Sequence, residues 1–569
     1  MRYLALAADY DGTVASHDRV SEKTIDALER LRNSGRRAIL VTGRRLDDLL
    51  AVCTCVQLFD IVVAENGGVV FHPATREETR LANPPPKALI QGLKARGVAP
   101  LEIGQVLVAT LLQHRETVQD VVWELGLETQ VIANRGAVMV LPAGINKATG
   151  LAHALRNLSL SRHEVAGIGN AENDHSFLAL CECAFAVADA VPSLKREVAR
   201  VTTAKNGNGV IELIDELIAN DLSDLGRSLE KHYVDLGTRP DGRAVQLPPY
   251  GYPVLVAGPS GCGKSTFADG VIGRLIEKDY QVCIVDPEGD YGSVPNVVAL
   301  GNHWRSPNVN EALSILEDPK INLSVNLLGI SLNDRPKFLA QLIPSLQAMR
   351  ARTGRPHWIV LDEAHHMLPT HRGHAGSALP QQLGETILVT VHPDHLTRAA
   401  LVPIQVVVAM GRSPKDTLTA FGNAAGRPLV WPETLAYDPD YVVVWFVGSE
   451  QPPFAMRPLP GRAERIRHRR KYAEGDLKWH SFYFRGPDNR HNLKAQNLTI
   501  FCQIAEGIGE ETWLFHLRRG DYSRWLRFSV RDLELADATE AIEHRADLTP
   551  QQTRQMITEM ISVRYTLAV

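Results

Sequence analysis

One segment constrains the fold of this chain more than any other. Gly258-Pro-Ser-Gly261-Cys-Gly263-Lys264-Ser265-Thr266 matches the pattern G-x-x-x-x-G-K-[ST] at every defined position. The apolar run Val254–Ala257 precedes it, and a helix-forming run, Phe267–Glu277, follows it. This strand–loop–helix order is typical of a P-loop, whose glycines let backbone amides converge on phosphates at a helix N-terminus. The segment predicts a parallel α/β domain that binds ATP.

A strand that ends in two acidic residues completes this predicted nucleotide site. The apolar run that begins at His357 ends in Asp362 and Glu363. We expect Asp362 to hold Mg²⁺ through water and Glu363 to polarise the water that attacks the phosphate. The remaining expected contacts come from the P-loop: Lys264 to the β- and γ-phosphates, Ser265 to Mg²⁺, and Gly258, Gly261, Gly263 and Thr266 around the phosphates.

The N-terminus shows a different acidic pattern. Asp9 and Asp11 follow the apolar strand Tyr3–Ala8, and Gly12 permits a tight turn after them. Carboxyl ends of parallel strands are where open α/β sheets bind ligands. One carboxylate there can attack phosphorus while the other handles the proton of the leaving group. The pair predicts a phosphoryl-transfer site.

Three further segments support this prediction. Thr42 ends the next strand with a hydroxyl and backbone donors, and Lys147 supplies a cation after a later strand. Gly169-Asn170-Ala-Glu-Asn173-Asp174 supplies oxygen ligands that suit a hard cation such as Mg²⁺.

These four pieces, in this order, resemble the haloacid dehalogenase-like phosphatases with a late-inserted cap, over about Met1–Leu217. The resemblance implies that Asp9 is the nucleophile, that Asp11 is the general acid/base, and that Thr42 and Lys147 hold phosphoryl oxygens. It also implies a Mg²⁺ site formed by Asp9, Asp11, Asn170 and Asp174. Relatives usually carry Asp where this chain has Asn170, so we expect weaker Mg²⁺ binding or direct ligation by Asp174. A second departure is Asp189, where many relatives have Asn.

The second constellation resembles the HerA-type P-loop ATPases over about Val254–Arg457. The likeness rests on Asp286-Pro-Glu-Gly-Asp-Tyr after one strand and on Asp362-Glu-Ala-His after another. It departs from the family at Thr390, which is followed by Val391 where such ATPases often have Gln. The resemblance implies ATP hydrolysis. Oligomers of this class often place an arginine in the neighbour's site, and Arg412 and Arg427 are candidates.

Length and composition fit several soluble globular domains. The chain has 569 residues, 22% of them charged and 44% hydrophobic. We expect two parallel-sheet α/β domains and a smaller C-terminal one: residues 1–217 with a cap at about 73–140, a helix and linker at 218–250, the ATPase at 251–460, and a basic segment plus C-terminal domain at 461–569.

Net charge and hydropathy limit the kinds of partner that the chain is expected to bind. The net charge of −4 excludes a polycation, and no apolar run approaches the length of a membrane span. Seven cysteines and an N-terminus unlike a signal peptide indicate a cytoplasmic protein with reduced thiols. The basic residues of Arg462–Lys471 suit either a solvated segment or a nucleic-acid contact. Aromatic residues between Trp479 and Phe528 suit either a small core or base stacking.

Three functions remain open. The favoured one is a Mg²⁺-dependent phosphomonoester hydrolase, acting on a small phosphorylated metabolite and joined to an ATPase in a possible homo-oligomer. A cap favours small substrates because it closes over the site. The second is a polynucleotide kinase-phosphatase, which a cap disfavours. The third is a regulatory or phage-defence nucleotide sensor with weakened turnover.

Overall fold

A computed structural model describes residues 1–566 except 135, 226–228, 293, 303, 370–383, 434, 436–439, 461–476, 478–480 and 531. It divides into two compact units. Unit 1 comprises Met1–Pro287 and Val298–Leu459, and unit 2 comprises Glu288–Val297 and Pro460–Val569.

Unit 1 begins with the first sheet, which an inserted subdomain interrupts. Strand β1 has all five residues buried, because parallel strands with helices on both faces are apolar throughout. The first half of this region contains β1 (Ala5–Asp9), α1 (Glu22–Asn33), β2 (Arg37–Val41), α2 (Leu46–Val52), β3 (Ile61–Ala64), β4 (Val69–His72) and β5 (Glu77–Arg80). The expected strand Tyr3–Ala8 is therefore present as β1, with its start shifted by two residues and its end by one.

The chain after β5 forms an inserted subdomain of helices and strands. It contains α3 (Lys87–Ala95), β6 (Glu102–Ile103), β7 (Val108–Leu111), α4 (Arg115–Glu124), β8 (Thr129–Asn134) and β9 (Ala137–Pro142). Its four strands form a separate antiparallel sheet in the order β6-β7-β9-β8.

The chain then returns to the first sheet. This part contains α5 (Lys147–Asn157), β10 (Val165–Gly169), α6 (His175–Leu180), β11 (Cys183–Ala186), α7 (Pro192–Glu197), β12 (Arg200–Val201) and α8 (Asn206–Asn220). The eight strands lie in the order β12-β11-β10-β1-β2-β3-β4-β5, so β1 is flanked by β10 and β2 in parallel. The carboxyl ends of these three strands share one edge, where the expected site residues follow.

The second sheet of unit 1 has eleven strands, in the order β14-β13-β23-β22-β21-β15-β20-β19-β16-β18-β17. Its strands are β13 (Val234–Thr238), β14 (Ala244–Leu247), β15 (Val254–Ala257), β16 (Val282–Asp286), β17 (Val297–Leu300), β18 (Asn322–Asn326), β19 (Trp358–Leu361), β20 (Thr386–Thr390), β21 (Val406–Ala409), β22 (Val442–Phe446) and β23 (Phe454–Pro458). Its helices are α9 (Lys264–Glu277), α10 (Val309–Leu316), α11 (Arg335–Thr353), α12 (Arg398–Leu401) and α13 (Pro414–Ala425).

The segment 218–250 differs from the expected helix and linker. Helix α8 ends at Asn220, and β13 and β14 form a hairpin that pairs with β23 at the edge of the second sheet. The stretch Gly237-Thr-Arg-Pro-Asp-Gly242, which is rich in Gly and Pro, contains the turn of this hairpin. Gly242 has a φ of 85°, and the Arg239 backbone N–H donates to the Arg243 carbonyl at 2.8 Å. The domain boundaries themselves remain a proposal.

Unit 2 is mainly helical. It contains β24 (Phe482–Phe484), β25 (Leu493–Ala495), α14 (Leu498–Gly507), α15 (Glu510–Arg518), α16 (Asp521–Trp525), α17 (Leu533–Glu543) and α18 (Pro550–Ile561). Phe482, Phe501, Trp513, Tyr522 and Trp525 are buried together. Most of the described aromatic side chains therefore form a core, whereas Phe528 is 67% exposed. Arg462–Lys471 and Trp479 lie outside the described residues.

In the part of the chain that the structure describes, no helix combines the length and the apolar character needed to cross a membrane. All seven cysteines are free thiols, as expected, and the two pairs Cys53/Cys55 and Cys181/Cys183 are buried.

Candidate active sites

Asp9 lies at the carboxyl end of β1, the central strand of the first sheet. Its carboxylate is almost fully buried. Thr13 Oγ1 donates to Asp9 Oδ2 at 3.2 Å, and Lys147 Nζ donates to Asp9 Oδ1 at 2.6 Å. The tight turn after the strand brings Thr13 back to Asp9, with Gly12 at a φ of 77°. The expected nucleophile is therefore held by a hydroxyl and a cation.

Lys147 bridges two carboxylates at this site. Asn146 caps the start of α5, and this places Lys147 in the first turn with its ammonium group buried. Lys147 Nζ lies 2.6 Å from Asp9 Oδ1 and 2.6 Å from Asp174 Oδ1. Burial alone lowers the pKa of Lys147, but the charges of Asp174 and Asp9 outweigh it and the pKa lies above its usual range.

The same charges act on Asp9. Burial raises the pKa of Asp9 to about 7, and the neighbouring charge of Asp174 adds to this rise, while Lys147 opposes it. An additional positive charge at this site therefore favours the ionised nucleophile.

The loop after β10 places Asn170 beside the other acids. Asp174 Oδ2 accepts the backbone N–H groups of Asn170 and Ala171 at 2.8 and 2.9 Å. Asn170 Nδ2 donates to the carbonyl of Asp11 at 2.8 Å. Asn170 Oδ1 is buried and has no hydrogen-bond partner among the described residues. An unpartnered amide oxygen beside two carboxylates fits a hard cation such as Mg²⁺.

Asp11 is held by an arginine that the sequence did not indicate. Arg44 Nε lies 2.8 Å from Asp11 Oδ2, and Arg44 Nη2 lies 2.5 Å from Asp11 Oδ1. The backbone N–H of Arg44 donates to Thr42 Oγ1 at 3.1 Å, so Thr42 and Arg44 lie in one turn. Arg44 follows the expected Thr42 by two residues, and this proximity is the one signal that could have identified it.

Glu65 connects this region to the inserted subdomain. It is buried, with a φ of 51°, and its carboxylate accepts the backbone N–H groups of Gln105, Val106 and Leu107 at 2.9, 2.7 and 3.2 Å. The glutamate belongs to the segment that follows β3, whereas its partners lie between β6 and β7. Spacing along the sequence gave no indication of this contact.

The P-loop follows β15 and begins α9, as expected. Gly258, Gly261 and Gly263 have φ values of 155°, 79° and 91°, which L side chains rarely adopt. Lys264 is the first residue of α9, and its Nζ donates to the Pro259 carbonyl at 3.0 Å. Ser265 and Thr266 follow in the first turn of α9. A loop of this conformation at the N-terminus of a helix can offer its backbone N–H groups to the phosphates of a nucleotide.

Asp362 and Glu363 follow β19, and one strand, β20, separates β19 from β15. Asp362 is buried and its Oδ1 accepts the backbone N–H of Glu363 at 3.0 Å. Glu363 has a φ of 45°, an uncommon conformation for this residue type. His365 Nδ1 lies 3.5 Å from Glu363 Oε2 and 3.3 Å from Thr390 Oγ1. Both expected acids thus lie at the end of β19, and His365 lies between Glu363 and Thr390.

Other candidate residues lie elsewhere. Asp189 is exposed after β11. Arg412 is exposed, and Arg427 Nη2 donates to the Val402 carbonyl at 3.0 Å. That Arg412 or Arg427 reaches the nucleotide site of a neighbouring subunit remains a prediction.

Comparison with known families matches both halves of unit 1. The profile described as haloacid dehalogenase-like hydrolase matches residues 6–96 and 113–214. The profile described as helicase HerA, central domain, matches residues 254–365.

Individual relatives match the first half. The chain is 32% identical over 219 residues to a phosphoglycolate phosphatase of Haloarcula marismortui, a match that covers 37% of this chain and 95% of that protein. It is 29% identical over 216 residues to a phosphoglycolate phosphatase of Methanothermobacter thermautotrophicus, covering 37% and 96%. A solved haloacid dehalogenase-like hydrolase from Bacteroides thetaiotaomicron has a TM-score of 0.34 at 19% identity and covers 38% of this chain and 100% of its own.

Proposed function

Because the chain belongs to the haloacid dehalogenase-like hydrolases, we propose that residues 1–217 hydrolyse a small phosphate monoester through an aspartyl-phosphate on Asp9. The observation that carries this proposal is the placement of Asp9, Lys147, Asn170 and Asp174 at one sheet edge, with Lys147 Nζ 2.6 Å from both Asp9 and Asp174. Its relatives are phosphatases, and the HerA-like part indicates an ATPase.

The residues of this site divide the chemistry between them. An oxygen of Asp9 attacks phosphorus, and Asp11 donates a proton to the leaving oxygen of the ester. Asp11 then takes a proton from the water that hydrolyses the aspartyl-phosphate, which releases inorganic phosphate and restores Asp9. Thr42 and Lys147 bind the phosphoryl oxygens, and Arg44 orients Asp11 through its two contacts.

The oxygen atoms at this site fit Mg²⁺. Asp9, Asn170 Oδ1, the Asp11 carbonyl and Asp174 would hold it, and the unpartnered amide oxygen is the observation that supports this. Bound Mg²⁺ supplies positive charge that lets a phosphate dianion approach a carboxylate. Asp174 already binds Lys147 and two backbone N–H groups, so it also orients the other ligands.

We take phosphoglycolate as the first substrate to test. Both relatives described above carry this activity in their names, and this chain matches almost their whole length. The inserted subdomain is anchored to the sheet through Glu65, and a cap of this kind favours a small substrate over a polymer end.

For the second half, we propose ATP binding and hydrolysis. Lys264 would bind the phosphates, Ser265 would bind Mg²⁺, Asp362 would hold Mg²⁺ through water, and Glu363 would polarise the attacking water. The P-loop and the acidic end of β19 both follow parallel strands of the second sheet, and this arrangement supports the assignment.

The experiment measures two products separately in the full chain. Glycolate release from phosphoglycolate reports the first site, and ADP formation from ATP reports the second. Asp9→Asn should abolish glycolate release and leave ADP formation intact, whereas Lys264→Ala should abolish ADP formation and preserve glycolate release in the absence of nucleotide. Glycolate release that persists in Asp9→Asn would overturn the proposed nucleophile. A wild-type chain that hydrolyses neither phosphoglycolate nor p-nitrophenyl phosphate at saturating Mg²⁺ would overturn the proposed activity.

A further inference from the structure

The two residues before β10, His163 and Glu164, lie against the second sheet. His163 Nε2 donates to the Lys278 carbonyl at 2.7 Å, and Glu164 Oε1 accepts from Arg355 Nε at 2.5 Å. Both side chains are fully buried. An exposed ion pair at the margin, Arg162 Nη1 to Asp279 Oδ2 at 3.2 Å, continues the same contact. We call these six residues the joint.

The joint meets the far ends of both nucleotide-binding elements. Lys278 directly follows α9, the helix that begins at Lys264 of the P-loop. With 14 residues at about 1.5 Å each, α9 places the joint about 21 Å from the P-loop. Arg355 precedes β19, the strand that ends at Asp362. The phosphate-binding loop and the acidic strand end are therefore each one element away from the joint.

On the other side, the joint is one strand away from the phosphatase site. Strand β10 begins directly after Glu164 and runs to Gly169, where Asn170 follows. It pairs with β1, which carries Asp9, and the Leu4 backbone N–H donates to the Glu164 carbonyl at 2.8 Å. A displacement of Glu164 along the strand therefore acts directly on the strands that carry Asp9 and Asn170.

The joint is also rigidly packed. His163 Nδ1 lies 2.6 Å from Glu182 Oε2, so a carboxylate holds one side of the ring and the Lys278 carbonyl holds the other. The ring stacks on Tyr280 at 4.0 Å between centroids and meets His357 edge-on at 5.3 Å. Arg2 and His232 contact the same Glu182 carboxylate. Close-packed interiors of this kind transmit small displacements.

We propose that nucleotide bound at the P-loop controls turnover at the Asp9 site through the joint. This inference rests on the proposed phosphatase function. Helix α9 and strand β10 both meet the joint at one end. The P-loop lies at the other end of α9, and Asn170 of the phosphatase site follows the other end of β10. The proposed control is therefore conformational and needs no transfer of substrate between the two sites. Coupling between two sites through such an element changes affinity or rate by about 5- to 150-fold.

The experiment follows p-nitrophenol release from p-nitrophenyl phosphate at fixed free Mg²⁺, with and without a non-hydrolysable ATP analogue. This readout detects neither ATP hydrolysis nor its phosphate. We expect the analogue to change kcat/KM by about fivefold or more in the wild type, and to have no effect in Lys264→Ala. Absence of basal release means that the phosphatase function has failed. Basal release that the analogue changes by less than about fivefold overturns the inference alone.

Variants of the joint locate the control. His163→Asn removes the ring nitrogen that donates to the Lys278 carbonyl. Asp279→Arg replaces the Arg162–Asp279 ion pair by two like charges and leaves no buried cavity. Asp279→Arg therefore remains informative if His163→Asn does not fold. Both should retain basal release and lose the effect of the analogue. Arg162→Asp combined with Asp279→Arg restores the exposed pair and should restore the effect.

The matched control is Asp241→Arg. Asp241 forms an exposed pair with Arg243 at 2.6 Å, within the β13–β14 hairpin and away from the joint. The effect of the analogue should persist in this variant. If it persists equally in Asp279→Arg and in His163→Asn, the joint does not carry the control and the inference is overturned.

Discussion

Arg355 Nε lies 2.5 Å from Glu164 Oε1, and both side chains are almost fully buried between the two sheets of unit 1. Arg355 also donates to the carbonyls of Leu316, Glu317 and Ser159, so its guanidinium group is well satisfied. Removing one member of a buried pair leaves a charge without its partner, which costs more than the pair itself contributes.

Arg355→Ala should therefore lower the free energy of unfolding of unit 1 by about 3–5 kcal/mol. Chemical unfolding followed by intrinsic fluorescence measures this loss. Arg243→Ala is the control, because its pair with Asp241 is exposed to solvent and should contribute little to stability. Equal losses in the two variants would contradict a structural role for the buried pair.

The stability of unit 1 should depend on the protonation of His357. Burial holds the pKa of His357 well below its usual 6.5, and the charges of His163 and Arg355 act in the same direction. Its Nδ1 accepts the Gln281 backbone N–H at 2.8 Å, which a protonated nitrogen could not do. The unfolded chain takes up a proton below about pH 6.5 that the folded chain does not, so stability is present above that pH and lost as pH falls.

His357→Asn keeps an acceptor for the Gln281 N–H and removes the titration. Between pH 7.5 and pH 5 the wild type should lose up to about 2 kcal/mol more than this variant. Trp358, which is fully buried beside it, provides the fluorescence signal. Parallel losses in both proteins would show that His357 does not titrate differently on folding.

Asn170→Asp should increase the Mg²⁺ affinity of the first site. The change adds a carboxylate and removes the amide that donates to the Asp11 carbonyl, which leaves that carbonyl free for a cation. We expect the dissociation constant for Mg²⁺, measured by calorimetry, to fall about tenfold, which corresponds to about 1.4 kcal/mol.

Asn173→Asp is the matched control for this change. It adds the same charge nearby, but Asn173 Nδ2 donates to Asn66 Oδ1 at 3.3 Å and not to Asp11. A similar gain in both variants would indicate a general electrostatic effect and would contradict a specific role for position 170.

Glu65→Gln should loosen the inserted subdomain. An amide NH₂ would face backbone N–H groups that the carboxylate now accepts, and each lost charged hydrogen bond is worth about 1.5–3 kcal/mol. Hydrogen exchange at Gln105–Leu107 should accelerate, and kcat for phosphoglycolate should fall. Glu78→Gln, which contacts only the exposed Gln105 side chain in the described structure, should change neither.

Local patterns predicted the sheets and most of the site. The strands that lead to Asp9, Thr42 and Asp362 are short apolar runs. Each polar residue lies at the end of its strand or directly after it, so position alone places it at the carboxyl edge. The P-loop was equally clear, because its glycines and lysine must be contiguous to surround a phosphate.

Long-range contacts account for what the sequence did not reveal. Glu65 binds amides 40 to 42 residues later, and Glu164 binds Arg355 across 191 residues. The sequence of the β13–β14 hairpin predicts a linker because its edge strands are short and half polar, and because Pro-Asp-Gly suits both a linker and a hairpin turn.

The location of the joint has a consequence for how the two reactions are observed. β10 and α9 each extend from the joint to their own site, so the two sites are separate. The proposed reactions nevertheless both produce inorganic phosphate, and the phosphate ions from the two sites are chemically identical. Phosphate from ATP would then act as a product inhibitor at Asp9, and any colorimetric phosphate assay would report the sum of two catalytic cycles. Kinetic constants for either half of this chain therefore require detection of glycolate or ADP, the products that the two cycles do not share.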